Sequence, residues 1–145
     1  VAYTTYSFED VSVTISHPSF GQYVANGQGL GSISTVMAAD RTTHDVSADG
    51  SVMVSKIKNR SGSHAIAIQQ TSDLHRWLLK LFNYLETAPA SEWASVVVVI
   101  RSPLMQDSST STGVSFQKIA DKPYQTQGQQ VTWTLMAADI QQSVA

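Results

Sequence analysis

Residues 72–86 read Ser-Asp-Leu-His-Arg-Trp-Leu-Leu-Lys-Leu-Phe-Asn-Tyr-Leu-Glu, and no other stretch of the chain has the period of a long helix. Leu74, Trp77, Leu78, Leu81, Phe82 and Leu85 recur at spacings of three and four, which places them on one stripe. Thr71 or Ser72 can accept the first free backbone N–H groups, and Asp73 suits the positive end of the helix dipole. Pro89 then forbids continuation. Burying six such side chains is worth roughly 10–15 kcal/mol as an upper figure. A stripe that wide must lie on an apolar surface, and the rest of the chain reads as strand. The expected fold is mainly β: a β-sandwich or partial barrel with one flanking α-helix over 72–86, in a single domain covering 1–145.

A chain of 145 residues can enclose one core. Its net charge of -2 carries no basic excess, so no general affinity for nucleic acid is implied. No run of eighteen apolar residues occurs, so no membrane span is expected. The start, Val-Ala-Tyr-Thr-Thr, lacks a basic region followed by an apolar one, and no signal peptide is expected. Cysteine is absent, which excludes disulfides and thiol catalysis. Ser, Thr and Gln are plentiful, which favours polar sheet faces and contact surfaces over a catalytic pocket.

The strands follow from alternation. The first is expected over 5–16, where Val11, Val13 and Ile15 alternate with Ser12, Thr14 and Ser16. Residues 17–31 read as a long loop; its Gly27-x-Gly29-x-Gly31 has the wrong spacing for a nucleotide-binding turn and precedes no helix. Strands over 32–41 and 51–58 are expected to pair as a long hairpin. Its polar, extended tip comprises Thr42, Thr43, His44, Asp45, Val46, Ser47, Ala48, Asp49, Gly50 and Ser51, with Asp49-Gly50 as the turn signal. Residues 63–70 form a fourth strand. The β-branched run 96–100 reads as a strand buried on both faces. Residues 102–113 read as a polar loop, 114–121 as a strand and 122–130 as a connector. The last strand, 131–137, turns Val131, Trp133 and Leu135 inward and leaves a short tail over 139–145.

Little in the chain points to chemistry. His17, His44, His64 and His75 form no close metal-binding pair, and no metal or cofactor is expected. His44 and Asp45 are strand neighbours and point to opposite faces. His75 sits in the first helical turn off the apolar stripe, which suggests a solvated or interface position. No nucleophile elbow or phosphate-binding loop occurs, and the acids are scattered. No catalytic residue is assigned, and the protein is not expected to be an enzyme.

An interaction role explains more. One helix covers one sheet face, leaving another face rich in Ser, Thr and Gln, and leaving open strand edges. Such edges invite pairing with another chain unless lysine, proline or bulges blunt them, and few such residues occur in these strands. A ring of identical subunits would remove the edges by closing into a large barrel.

The stretches 6–15 (Tyr-Ser-Phe-Glu-Asp-Val-Ser-Val-Thr-Ile), 37–58 (Met-Ala-Ala-Asp-Arg-Thr-Thr-His-Asp-Val-Ser-Ala-Asp-Gly-Ser-Val-Met-Val-Ser-Lys-Ile-Lys), 69–85 and 133–139 carry a resemblance over nearly the whole chain. Together they resemble the tail tube proteins of contractile-tailed, Mu-like and related bacteriophages. That resemblance implies a structural virion protein of tail-tube-like fold. Six copies would form a ring, and rings would stack into the inner tail tube through which phage DNA passes during ejection. The implied partners are the chain itself, the tail sheath, baseplate or tail-initiation proteins and a terminator protein. No membrane is involved: the virion tail is the implied location, after assembly in the host cytoplasm. The hairpin at 42–51 takes the position of the ring-stacking element, and Ser32, Ser34, Ser51 and Ser55 are expected to face the lumen. The alternatives are a tail terminator or other ring-forming tail component of the same fold, and a small-ligand-binding β-barrel.

Overall fold

The helix forms where the apolar stripe requires it. In the computed structural model, which describes residues 2–27 and 29–144, α1 spans Asp73–Thr87. Ser72 caps it, its Oγ accepting the His75 backbone N–H at 3.2 Å. Leu74, Leu78, Leu81, Phe82 and Leu85 are buried. Trp77 is half-buried and rests against Phe20 and Tyr23, with ring centroids 5.5 and 5.8 Å away.

His75 departs from the solvated or interface position expected of it. It is buried, and its Nδ1 accepts the indole N–H of Trp133 at 3.1 Å. A buried indole N–H needs such an acceptor. His75 flanks Leu74, and the sheet covers that flank of the helix as well as the stripe.

The strands are β1 (Ser12–His17), β2 (Gly21–Asn26), β3 (Leu30–Met37), β4 (Thr42–Val46), β5 (Val52–Lys56), β6 (Gly62–Gln69), β7 (Val96–Ser102), β8 (Asp107–Phe116) and β9 (Gln130–Val144). Seven of them form one antiparallel sheet in the order β2-β1-β7-β8-β9-β6-β3, and β4 and β5 form a separate ribbon. α1 packs on both β2 and β6. Those strands are five steps apart in the sheet, about 24 Å if it were flat, roughly twice a helix diameter. The sheet therefore curls round the helix as a half-barrel. Its concave face holds the core, in which Phe116 lies 5.4 Å from Trp133 and 5.5 Å from Phe82 between ring centroids.

Several expected boundaries move. The first strand begins only at Ser12, because Phe8–Asp10 make a 3-10 turn capped by Ser7. The expected loop 17–31 contains β2 and the start of β3; Gln28 in that loop lies outside the described residues, as do Val1 and the tail residue Ala145. Residues 107–113 of the expected polar loop are the first half of β8, the strand expected to reach 121 stops at Phe116, and the tail is the end of β9. In β7, Val96 and Val98 are fully buried, but Val97 and Val99 are half-buried, since no second layer covers the convex face. The strands of the expected hairpin do not pair with each other as expected: β3 pairs with β6, and the ribbon β4–β5 has its own ladder.

Gly113 explains the break inside β8. Its φ of +64° is left-handed, and a Cβ there would lie 2.9 Å from that of Ala138. Across it the inward set shifts from Ser111 to Val114, and β9 shifts in step from Ile140 to Ala137. Beyond this break the concave face carries polar groups. Fully buried His64 on β6 bridges the Thr35 Oγ1 of β3, 2.9 Å from its Nδ1, and the Ser111 Oγ of β8, 2.5 Å from its Nε2.

Burial holds the pKa of His64 below its ordinary value. The pKa of His75 is lowered by burial first, then by the charges of Lys122 and Arg76. The unfolded chain takes up protons as the pH falls below about 6.5, and the folded chain resists doing so. Stability is thus level above that pH and is lost below it. Thermal unfolding should give a lower midpoint at about pH 5 than at about pH 7.5, with a smaller difference in His64→Gln; a midpoint independent of pH across this range contradicts the assignment. Two substitutions test the packing. Leu81→Ala should cost roughly 2–5 kcal/mol in denaturant unfolding. Gly62→Ala should cost roughly 1–3 kcal/mol, because the added Cβ would collide with the Val36 carbonyl oxygen.

Candidate functional site

The extended surfaces of this fold are its unusual feature. β3 and β6 run on into the ribbon β4–β5 through a joint held by hydrogen bonds from Ala38 N to Ser61 O at 3.0 Å and from Ile57 N to Arg41 O at 2.9 Å. The Arg41 Nε also donates to the Ile57 carbonyl, at 2.9 Å. The ten residues expected as a polar tip divide into two parts: Thr42–Val46 is strand, and the turn is confined to 47–51. Ser47 N bonds Ser51 O at 2.9 Å, and Gly50 supplies a φ of +88°. Asp49 accepts from the Ser47 hydroxyl and the Ser51 N–H, which hold its pKa down to about 2. The shaft is less polar than expected. Val46, Val52, Met53 and Val54 are all more than half exposed. The register puts Val46, Val52, Val54 and His44 on one face of the ribbon, and Asp45, Met53 and Ser55 on the other.

The convex face is the second surface. Outward positions on β3, β6 and β9 include Ser32, Ser34, Val36, Ser63, Thr132 and Thr134. β1, β2 and β7 add Thr14, Val24 and Val99. Among the described strand residues of this face the charged side chains are Arg101 and Asp139, and Asp139 is paired with Arg60 at 2.9 Å. Of the four serines expected to line a lumen, all are exposed. Ser32 and Ser34 share the convex face, whereas Ser51 and Ser55 lie on the ribbon, away from the seven-stranded sheet.

The third feature is the pair of sheet edges. β2 and β3 are each paired on one side only. Neither contains lysine, arginine or proline. An edge without such residues offers its backbone groups to another strand.

Among the described residues, one side-chain pair has a form that catalysis could use. The Ser111–His64 contact has the form of a nucleophile and a base, but both side chains are sealed from solvent, and His64 meets Thr35 where an orienting carboxylate would stand. Among the described residues no three potential metal ligands converge, and no helix is long and apolar enough to cross a membrane. Sequence reasoning missed one hollow. A cavity of about 370 Å³ lies on the concave face, bounded by Phe8, Ile33, Ile100, Met105, Ser102 and Ser109 among others. It lies at the end of the sheet from which the ribbon projects. Phe8, Ile33 and Ile100 come from segments read as strands, but Ser102, Met105 and Ser109 come from the segment read as a polar loop and Gln142 and Ser143 from the one read as a tail, so no local period marked the hollow they close together.

Solved structures of low sequence identity share the fold. A chain in the cryo-EM structure of an extracellular contractile injection system, the PVC sheath-tube complex in the extended state, matches with a TM-score of 0.62 at 11% identity, covering 100% of this chain and 95% of that one. A chain of the PVC sheath/tube terminator matches with a TM-score of 0.62 at 11% identity, covering 99% of each. A chain in the cryo-EM structure of the anti-feeding prophage cap, described as the AFP tube terminating cap, matches with a TM-score of 0.61 at 10% identity, covering 100% of this chain and 94% of that one. No curated protein matches in sequence. The family model of the bacteriophage PhiTE tail tube protein matches residues 3–145, and the chain therefore belongs to that tail tube family.

Proposed function

We propose that this protein is the repeating structural subunit of the inner tube of a contractile phage tail: six copies form a ring, rings stack, and DNA crosses the lumen. The observation that carries this reading is the pair of unblunted edges on a fold of the tail tube family. Copies that pair edge to edge satisfy each other's backbone groups, and a ring closes the series without leaving a free edge. The sheath, baseplate and terminator are its partners, and the virion tail is its location, after assembly in the host cytoplasm. The chain acts as one tail-tube-like domain and needs no cofactor.

The convex face suits a lumen. A wall of hydroxyl, amide and small apolar groups holds no cluster of cations to trap phosphates, so DNA slides past it. Ser32 and Ser34 contribute to that wall. The ribbon reaches beyond the sheet to the adjacent ring, with residues 42–51 and the valines beside them as its contact.

The likeness to chains in structures of a sheath/tube terminator and of a tube-terminating cap supports a second reading, a subunit that forms a single terminating ring. Stacking separates the two. Negative-stain microscopy and sedimentation of the purified chain should show tubes whose length grows with concentration; a strict monomer contradicts both readings, and isolated rings at every concentration favour the terminator. Replacing residues 43–55 by an Asn-Gly turn rejoins the paired positions Thr42 and Lys56. That variant should remain folded by circular dichroism and fail to form tubes, and normal tubes would remove the stacking role from the ribbon.

A further inference from the structure

We infer that Tyr124 of one copy inserts into the concave-face cavity of a second copy, making a head-to-tail contact between stacked subunits; this rests on the tube-subunit reading above. The cavity is mixed in character and lacks its complement. Ser102 is 3% exposed and its Oγ has no hydrogen-bond partner, and the Oγ of Ser109 is also buried and unpartnered. Both line the cavity, whose apolar walls include Phe8, Ile33, Ile100 and Met105. Buried hydroxyls without partners are costly, so an occupant should bring a polar group to them. Asp107 is the charged residue at the cavity, and no lysine or arginine lines it, which disfavours an anion. The fitting occupant is neutral, flat and apolar, with one hydroxyl at its tip. That describes a phenol side chain.

The chain presents such a group at the other end of the sheet. Tyr124 is 83% exposed, on the segment between β8 and β9. Gln70 braces this segment: its Nε2 donates to the Pro123 carbonyl, and its Oε1 accepts the Gln129 N–H at 3.3 Å. A braced, exposed tyrosine loses little freedom on binding. β8 runs from the cavity, at Asp107–Ser109, toward the end that carries Tyr124. The two features thus lie at opposite ends of one molecule and cannot meet within it. A projection at one end and a matching hollow at the other make a heterologous contact that does not close on itself, and such contacts build filaments.

The test uses the full chain under conditions in which the wild type forms tubes. The chain has no cysteine, so the double variant Ser143→Cys, Gln125→Cys, with one thiol at the exposed cavity rim and the other beside an intact Tyr124, can be cross-linked with a short bismaleimide. A ladder of covalent oligomers in the double variant, absent from each single variant, is the expected result. Tyr124→Ala, at an exposed position, should fold normally and raise the concentration needed for tube formation by about tenfold or more, with Tyr124→Phe intermediate because it lacks the hydroxyl. Wild-type tubes alongside a normally assembling Tyr124→Ala and no ladder overturn this contact and leave the tube reading standing. A wild-type chain that never polymerises overturns both.

Discussion

The structure depends on wrapping a single sheet round a single helix. A helix with an apolar stripe can be buried by a flat sheet on one side only. Here α1 meets β2 on one flank and β6 on the other, so the sheet must curl, and one layer of strands serves as both floor and walls of the core. The cost of this economy is that nothing covers the outside. The convex face and both outermost strands are left for other uses, and the proposed ring would give one to each of them. Trp133 packs beneath His75 and Phe82 on the inside of that layer, while its chain neighbours Thr132 and Thr134 face out.

Two details show how the curl is maintained. Gly113 breaks the regular alternation of β8, and the inward set changes parity there. That change leaves serine, not valine, on the concave side of the upper sheet, and the buried imidazole of His64 then ties the edge strand β3 to β8. Edge strands are ordinarily the least constrained part of a sheet. A buried hydrogen-bonded bridge to an interior strand holds β3 in place before any partner arrives, which lowers the ordering cost of pairing with one.

The sequence was legible where burial is one-sided and periodic. The helix stripe, the alternation of Val131, Trp133 and Leu135, and the pairing of Asp49-Gly50 with a turn all have local causes. β2 was read as loop because it is an edge: Ala25 is its one buried residue, and glycine and asparagine bound it. The first half of β8 was read as loop because its inward residues include Ser109 and Ser111, and Ser111 pairs with a buried histidine distant in sequence. The misplaced partner of β3 has a similar source. Turn residues near 49 reveal that a hairpin exists, but not that its ladder breaks at 38–41 and resumes against β6. The polar face could be read from composition, while the cavity could not, since four separate segments form it.

The central claim is that β2 and β3 acquire strand partners from other copies. Hydrogen–deuterium exchange of the backbone amides of Gly21–Asn26 and Leu30–Met37, compared between dissociated subunits and assembled tubes, tests it most directly. Amides of these strands that exchange quickly in the free subunit should become protected on assembly, while those of the interior strands β8 and β9 change little. Edge amides that exchange equally fast in both states would contradict the account.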